Sequence, residues 1–193
     1  IDSGFALSSS WTSMPNNITS SSPVIGKDLQ GRDVVYIGTA DSSLVAIRAE
    51  DGREKWNRTL GSATSDSRII SSPSVSDKGD IYVISSRKTG YGRAQSTLHK
   101  IDQFGVPKWA YVFPDNGFAA GSPKVFVSQS GILIFVYLSV VKTDSIQGEL
   151  FVLRDDGYLA SLLDRKALAT CSYDVSGGKQ PLEDLFNYSE NTW

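Results

Sequence analysis

A 50-residue period constrains this chain more than any other feature. Three times a Ser-Ser-Pro or Gly-Ser-Pro tripeptide opens a block of apolar, β-branched segments, with the prolines at Pro23, Pro73 and Pro123. Each block then runs through an apolar pattern to a Gly turn. In the first two blocks a Trp follows four residues after that Gly, as Gly52 to Trp56 and Gly105 to Trp109. The third block keeps Gly157, and the spacing puts Ser161 in the Trp slot. A unit this short cannot bury both of its faces by itself, so successive units must stack.

Within the first block, Ser21 to Ile25 reads as a short inner strand. Pro23 stands at its start, where a missing N–H breaks no ladder bond. Asp33 to Thr39, Leu44 to Ile47 and Arg53 to Trp56 follow as three more strands, with turns at Asp41-Ser-Ser43 and Glu50-Asp-Gly52. The other two blocks repeat this order. The prediction is an all-β chain of β-propeller blades, each of four antiparallel strands: three clear blades (about 21–70, 71–120 and 121–165) plus a partial one. Residues 1–20, with Trp11, form a partial blade or edge strand. Residues 166–193 form a tail in which Pro181 to Phe186 reads as a short helix or a closing strand. The large flat rings of Trp56 and Trp109 are expected to fill the wedge between neighbouring blades, docking on Gly52, Gly105 and Gly157 turns.

The stretch Ala46-Ile-Arg-Ala-Glu-Asp-Gly52-Arg-Glu-Lys-Trp56 resembles the tryptophan-docking motif of the pyrroloquinoline-quinone (PQQ)-type propeller repeat, departing from it at Arg48 and Asp51. Leu98 to Trp109 is a form one residue shorter, and the third block keeps Leu150 to Gly157 without the Trp. The resemblance covers roughly residues 20–162. It implies the repeat type and leaves the activity open, since such repeats occur in quinoprotein dehydrogenases, in outer-membrane assembly scaffolds and in the lumenal sensor domains of stress kinases. It also implies that a closed ring needs more blades than three: either the two ends, residues 1–20 and 166–193, pair into a fourth, closing blade, or, the preferred reading, this chain is an arc completed by another chain or by a second copy.

Composition narrows the function classes. A net charge of −2 gives no reason to expect nucleic acid or an anionic membrane as partner. The longest apolar run, Ile132 to Val141, is about half the ~20 residues that a membrane helix needs, and it reads as a buried strand pair. The single Cys171 excludes an internal disulfide and reads as inert. The single His99 excludes a His-rich metal site and reads as a surface residue on a strand. Three sequons, at Asn17, Asn57 and Asn187, suit an extracytoplasmic compartment, whether secreted, periplasmic or lumenal. The start at Ile1 suits a processed chain or an excised piece.

No catalytic constellation rides on the repeat. A quinoprotein dehydrogenase, as the resemblance describes it, needs a full ring, a calcium held by acidic and amide oxygens, an Asp base and usually a vicinal Cys pair. Here Asp155-Asp156 reads as a turn former, and neither a metal site nor a cofactor is expected. The most informative segments are the loops predicted at Ser86–Ser96 and Ser139–Gln147. The first gathers Arg87, Lys88, Tyr91 and Arg93 around glycines, a candidate epitope for an acidic protein partner. The expectation is a non-catalytic, protein-binding or assembly scaffold. Its alternatives are a fragment of a PQQ-dependent dehydrogenase and a lumenal sensor-type domain that dimerises through strand edges.

Overall fold

The computed structural model describes residues 21–61, 67–90, 93–119, 121–129, 131–142 and 145–172. Trp11, Asn17, Tyr91, Asn187 and the segment Pro181 to Phe186, on which the sequence raises expectations, lie outside them. Blade 1 is a four-stranded antiparallel sheet of β1 (Val24–Lys27), β2 (Asp33–Gly38), β3 (Ser43–Arg48) and β4 (Glu54–Thr59), in that order. The second unit contains β5 (Ser67–Arg68), β6 (Ser74–Val75), β7 (Ile81–Gly90), β8 (Arg93–Ile101) and β9 (Pro107–Ala119). The third contains β10 (Lys124–Ser128), β11 (Gly131–Val141), β12 (Ser145–Asp155) and β13 (Ala160–Ser172). The described residues thus form three blades of an open arc, as the period implies.

The tripeptides acquire a physical role in the inner strands. β5 and β6 both pair with β7, and the end of β9 and β10 both pair with β11, so in blades 2 and 3 the first strand is split at its Ser-Pro. That shared strand joins blades 2 and 3 into one nine-stranded sheet. Pro has no N–H and holds the residue before it extended, which leaves a gap in the ladder. The first Ser of each pair fills it. Ser21 Oγ accepts from Gly38 N–H at 3.2 Å, and Ser71 Oγ both accepts from Ile84 N–H and donates to its carbonyl. The second Ser reaches across to the next blade. Ser22 N–H donates to Ser72 Oγ at 2.8 Å, and Ser72 N–H donates to Ser122 Oγ at 3.0 Å. The period is therefore a hydrogen-bonded belt along the inner edge of the arc.

The core lies between blades rather than within them. Val34, Tyr36, Leu44 and Ala46 of blade 1 pack on Ile81, Val83 and Ile101 of blade 2. The opposite face of blade 2 brings Tyr82, Ile84, Leu98 and Trp109 against Ile132, Ile134, Val136, Phe151 and Leu153 of blade 3. Blade 2 is covered on both faces, which is why Ile81 to Ser86 is buried without alternation. β11, with one face against blade 2, alternates strictly between buried and half-buried.

Three expectations are corrected. The run Ile132 to Val141 is one strand, β11, and not a strand pair. The predicted loop at Ser86–Ser96 is a ladder, with Ser86 opposite Ser96 and Lys88 opposite Ala94, and Ser139–Gln147 likewise pairs Ser139 with Gly148. Both segments carry enough alternating apolar or hydroxyl residues to continue pairing beyond the blade. His99 is not a surface residue. It stands opposite Val83 in the blade 1–2 layer, and its Nε2 shares a 2.8 Å hydrogen bond with Ser85 Oγ.

Burial of His99 pushes its imidazole from the ordinary 6.5 down to about 4. Folding therefore favours the neutral ring, while the unfolded chain takes up a proton below 6.5. The stability is fully present above that pH and falls as pH drops toward 4, by up to about 1.4 kcal/mol per pH unit. Thermal melts between pH 7 and 4 are expected to show this loss, and His99→Gln is expected to flatten the slope. An unchanged slope in the variant refutes the assignment.

Candidate functional site

The register of the sheets defines equivalent slots in the three blades, and those slots build the junctions. Tyr36 lies opposite Val24 and Ala46, Tyr82 opposite Ser74 and Lys100, and Phe135 opposite Lys124 and Val152. The outer strand of each blade then carries a bulge of one residue at the same place, Lys55, Lys108 and Leu163. Such a bulge re-aims the next side chain. That side chain is Trp56 in blade 1, Trp109 in blade 2 and Asp164 in blade 3, opposite Ala46, Lys100 and Val152. Ser161 is therefore not the Trp slot. The turn after Gly157 is longer than those after Gly52 and Gly105, and counting four residues from the glycine falls short of the bulge.

At the first junction Trp56 rests on blade 2. Its Nε1–H donates to the Gln103 carbonyl at 2.9 Å, and its ring lies so close to Gly105 that a Cβ there would stand 2.8 Å from it. Gly105 holds φ at +79°, so both the approach and the backbone require glycine. Arg58 Nε donates to the Gly105 carbonyl at 2.8 Å, and Tyr36 stacks on Trp56 with centroids 5.8 Å apart. The Tyr36 hydroxyl is buried here without a hydrogen-bond partner.

The second junction replaces a carbonyl by a carboxylate. Asp155, two residues before Gly157 as Gln103 is two before Gly105, accepts from Trp109 Nε1 at 3.1 Å. It also accepts from Tyr82 Oη at 2.6 Å, Lys100 Nζ at 2.7 Å and Gly157 N–H at 2.8 Å. Lys100 meets Asp80 as well, at 3.0 Å. The Asp155 side chain is 1% exposed and that of Lys100 8%. Burial pushes the Asp155 carboxyl up, but the hydrogen bonds from Lys100, Tyr82 and the Gly157 N–H outweigh it and hold the group below the ordinary carboxylate range. Burial likewise opposes the charge on Lys100, and its two carboxylate partners overcome that and raise it. Tyr82, with burial first and Asp155 second, is raised far above a free phenol. Gly157 touches no ring, since a Cβ there would meet nothing within 4 Å.

Sequence reasoning took Asp155 for a turn former. It does cap the Gly157 N–H, but its second role was legible only in Lys100, a lysine at an inward position of β8 that demands a buried anion. Of the charged hairpin residues, Arg87, Lys88 and Arg93 stand exposed at the end of the β7–β8 ladder, where Gly90 faces Arg93. Asn57 is exposed on β4. Cys171 lies on β13, opposite Ile146. A cleft of about 330 Å³ on blade 1 is lined by Asp28, Arg32, Asp33, Arg48, Ala49 and Glu50. Asp28 pairs with Arg32 and Lys55, Asp33 with Lys27, and Arg48 with Asp51. Among the described residues no group of three or more His, Cys, Asp or Glu could hold a metal ion. Asp28, Asp80, Asp155 and Glu149 each already hold a lysine or arginine.

Tryptophan-docked four-stranded blades in an open arc define a PQQ-like propeller segment. The family described as outer membrane protein assembly factor BamB matches residues 8–109, just over half of the chain, and the chain belongs to that family. No curated protein matches. Among solved structures, a europium-containing methanol dehydrogenase is 15% identical at a TM-score of 0.50, over 66% of this chain and 29% of its own. A quinohemoprotein alcohol dehydrogenase from Pseudomonas putida is 12% identical at 0.47, over 69% and 25%. BamB from Moraxella catarrhalis is 17% identical at 0.38, over 85% and 54%. The chain thus spans between a quarter and about half of the length of these proteins, and the likeness to the methanol dehydrogenase shows the propeller fold.

Two substitutions separate the junctions. Gly105→Ala meets both the Trp56 ring and a positive φ, and is expected to cost about 3 kcal/mol in urea unfolding. Gly157→Ala meets only the positive φ and costs about 1 kcal/mol. Asp155→Asn leaves Lys100 half-paired in the interior and is expected to cost about 3 kcal/mol at pH 7. That difference is expected to vanish as pH falls below the ordinary carboxylate range, where wild-type Asp155 is itself protonated.

Proposed function

We propose that this chain is a non-catalytic, extracytoplasmic scaffold whose arc of blades binds protein partners. The observation that carries this reading is the far face of blade 3. It presents Phe135 in the slot that Tyr36 and Tyr82 fill at the buried junctions, flanked by half-buried Leu133, Tyr137, Leu150 and Val152 and by Phe126, 58% exposed. Arg154 Nε lies buried on the same sheet without a hydrogen-bond partner. A face of this composition, built on a repeat that twice buries the same slots against a blade, favours a further blade from another chain as its cover. The charged end of the β7–β8 hairpin, with Arg87, Lys88 and Arg93, supplies a second contact of opposite character, suited to an acidic partner. In this reading the sequon at Asn57, exposed on β4, carries a glycan.

The buried charges support the non-catalytic part. Asp155, Lys100, Asp80 and Tyr82 satisfy one another across a junction, so this cluster is occupied in holding two blades together. No helix among the described residues is long and apolar enough to cross a membrane.

The test is capture by the immobilised chain from an envelope extract, followed by cross-linking mass spectrometry. Phe135→Asp is expected to lose partners that contact blade 3, and Arg87→Glu with Arg93→Glu to lose acidic ones, with circular dichroism unchanged. Capture indifferent to both variants rejects the reading. So does a rise in melting temperature with alcohol oxidation when PQQ and calcium are added.

A further inference from the structure

We propose that two copies of this chain pair edge to edge through β13, antiparallel and centred on Arg165. β13 closes one end of the nine-stranded sheet and bonds β12 along one edge. Among the described residues no strand pairs its other edge. An edge of this kind is a template for another strand unless something blunts it. The equivalent outer strands are blunted at their bulges. Lys55 reaches Asp28 at 2.7 Å, and Lys108, preceded by Pro107, reaches Asp102 at 2.8 Å. In β13 the bulge residue is Leu163, 46% exposed, beside Leu162 at 40%. Charge and proline are replaced by leucine at the same place.

The segment itself names the occupant. Between the bulges at Leu163 and Leu168, Asp164-Arg165-Lys166 is its own complement about Arg165. In an antiparallel pair centred there, Asp164 of each copy stands opposite Lys166 of the other. Asp164 and Lys166 are exposed and share a face of the sheet, opposite Val152 and Leu150 of β12. Centring on Asp164 or on Lys166 instead loses both Asp164–Lys166 pairs, so charge selects the register. Arg165 falls on the two-fold axis, where its charge is met within its own copy by Glu149 and by the Phe151 ring, 5.1 Å from the guanidinium carbon. The pairing is isologous and closes at two copies. It uses the outer edge of the blade and not its face, so it is independent of what covers Phe135 and of the scaffold reading.

Sedimentation velocity of the full chain over a concentration series is expected to show a monomer–dimer equilibrium. Asp164→Lys and Lys166→Asp should each weaken it at least about tenfold, because two attractive pairs become repulsive. An equimolar mixture of the two single variants is expected to dimerise again, as is the double variant D164K/K166D, with circular dichroism confirming the fold throughout. A monomer at every concentration overturns the proposal. So do single variants that dimerise like the wild type, or a mixture and a double variant that both stay monomeric.

Discussion

The seat that each blade offers to the outer aromatic of the blade before it holds this structure together. A four-stranded sheet of this size has two faces and too little area to bury either by itself. Stacking solves this only if the wedge between twisted sheets is filled at the wide, outer side. Trp56 fills it on Gly105, where a flat ring lies on backbone and its N–H finds a carbonyl. At the narrow, inner side the serine belt does the corresponding job in hydrogen bonds, from Ser22 through Ser72 to Ser122.

The two junctions solve the same geometry with different chemistry. The first is apolar apart from the Trp56 and Arg58 hydrogen bonds to backbone. The second gathers Trp109, Tyr82 and Lys100 on one carboxylate, Asp155, so that its stability depends on charge. A buried ion pair adds little net stability over apolar packing, but breaking one partner is costly. Asp155 therefore specifies which blade follows blade 2 more than it strengthens the contact.

How much could be read beforehand varied with the reach of the interaction. Strand order and the Gly turns followed from local patterns, because turn chemistry and alternation act within a few residues. Ser161 was misplaced because the slot is set by a bulge opposite Val152, and a bulge is a property of two paired strands. The hairpins at Ser86–Ser96 and Ser139–Gln147 looked like loops because their residues are polar or mixed, and only the partner strand shows that they pair. His99 looked outward by alternation with Leu98, but in a blade covered on both faces alternation does not separate inside from outside.

The 50-residue period, together with the β-patterned segments it carries, determined that the chain is built of stacked four-stranded blades, since strand units of that length bury their faces only against one another. Which serine bonds which, that Asp155 and Lys100 share a buried junction, and that Asp164 takes the last Trp slot were decided only by the tertiary structure. The reason is that these depend on contacts between residues 46 to 55 positions apart, or on the register between strands. No local pattern encodes a distance across two blades, and only their packing brings those atoms together.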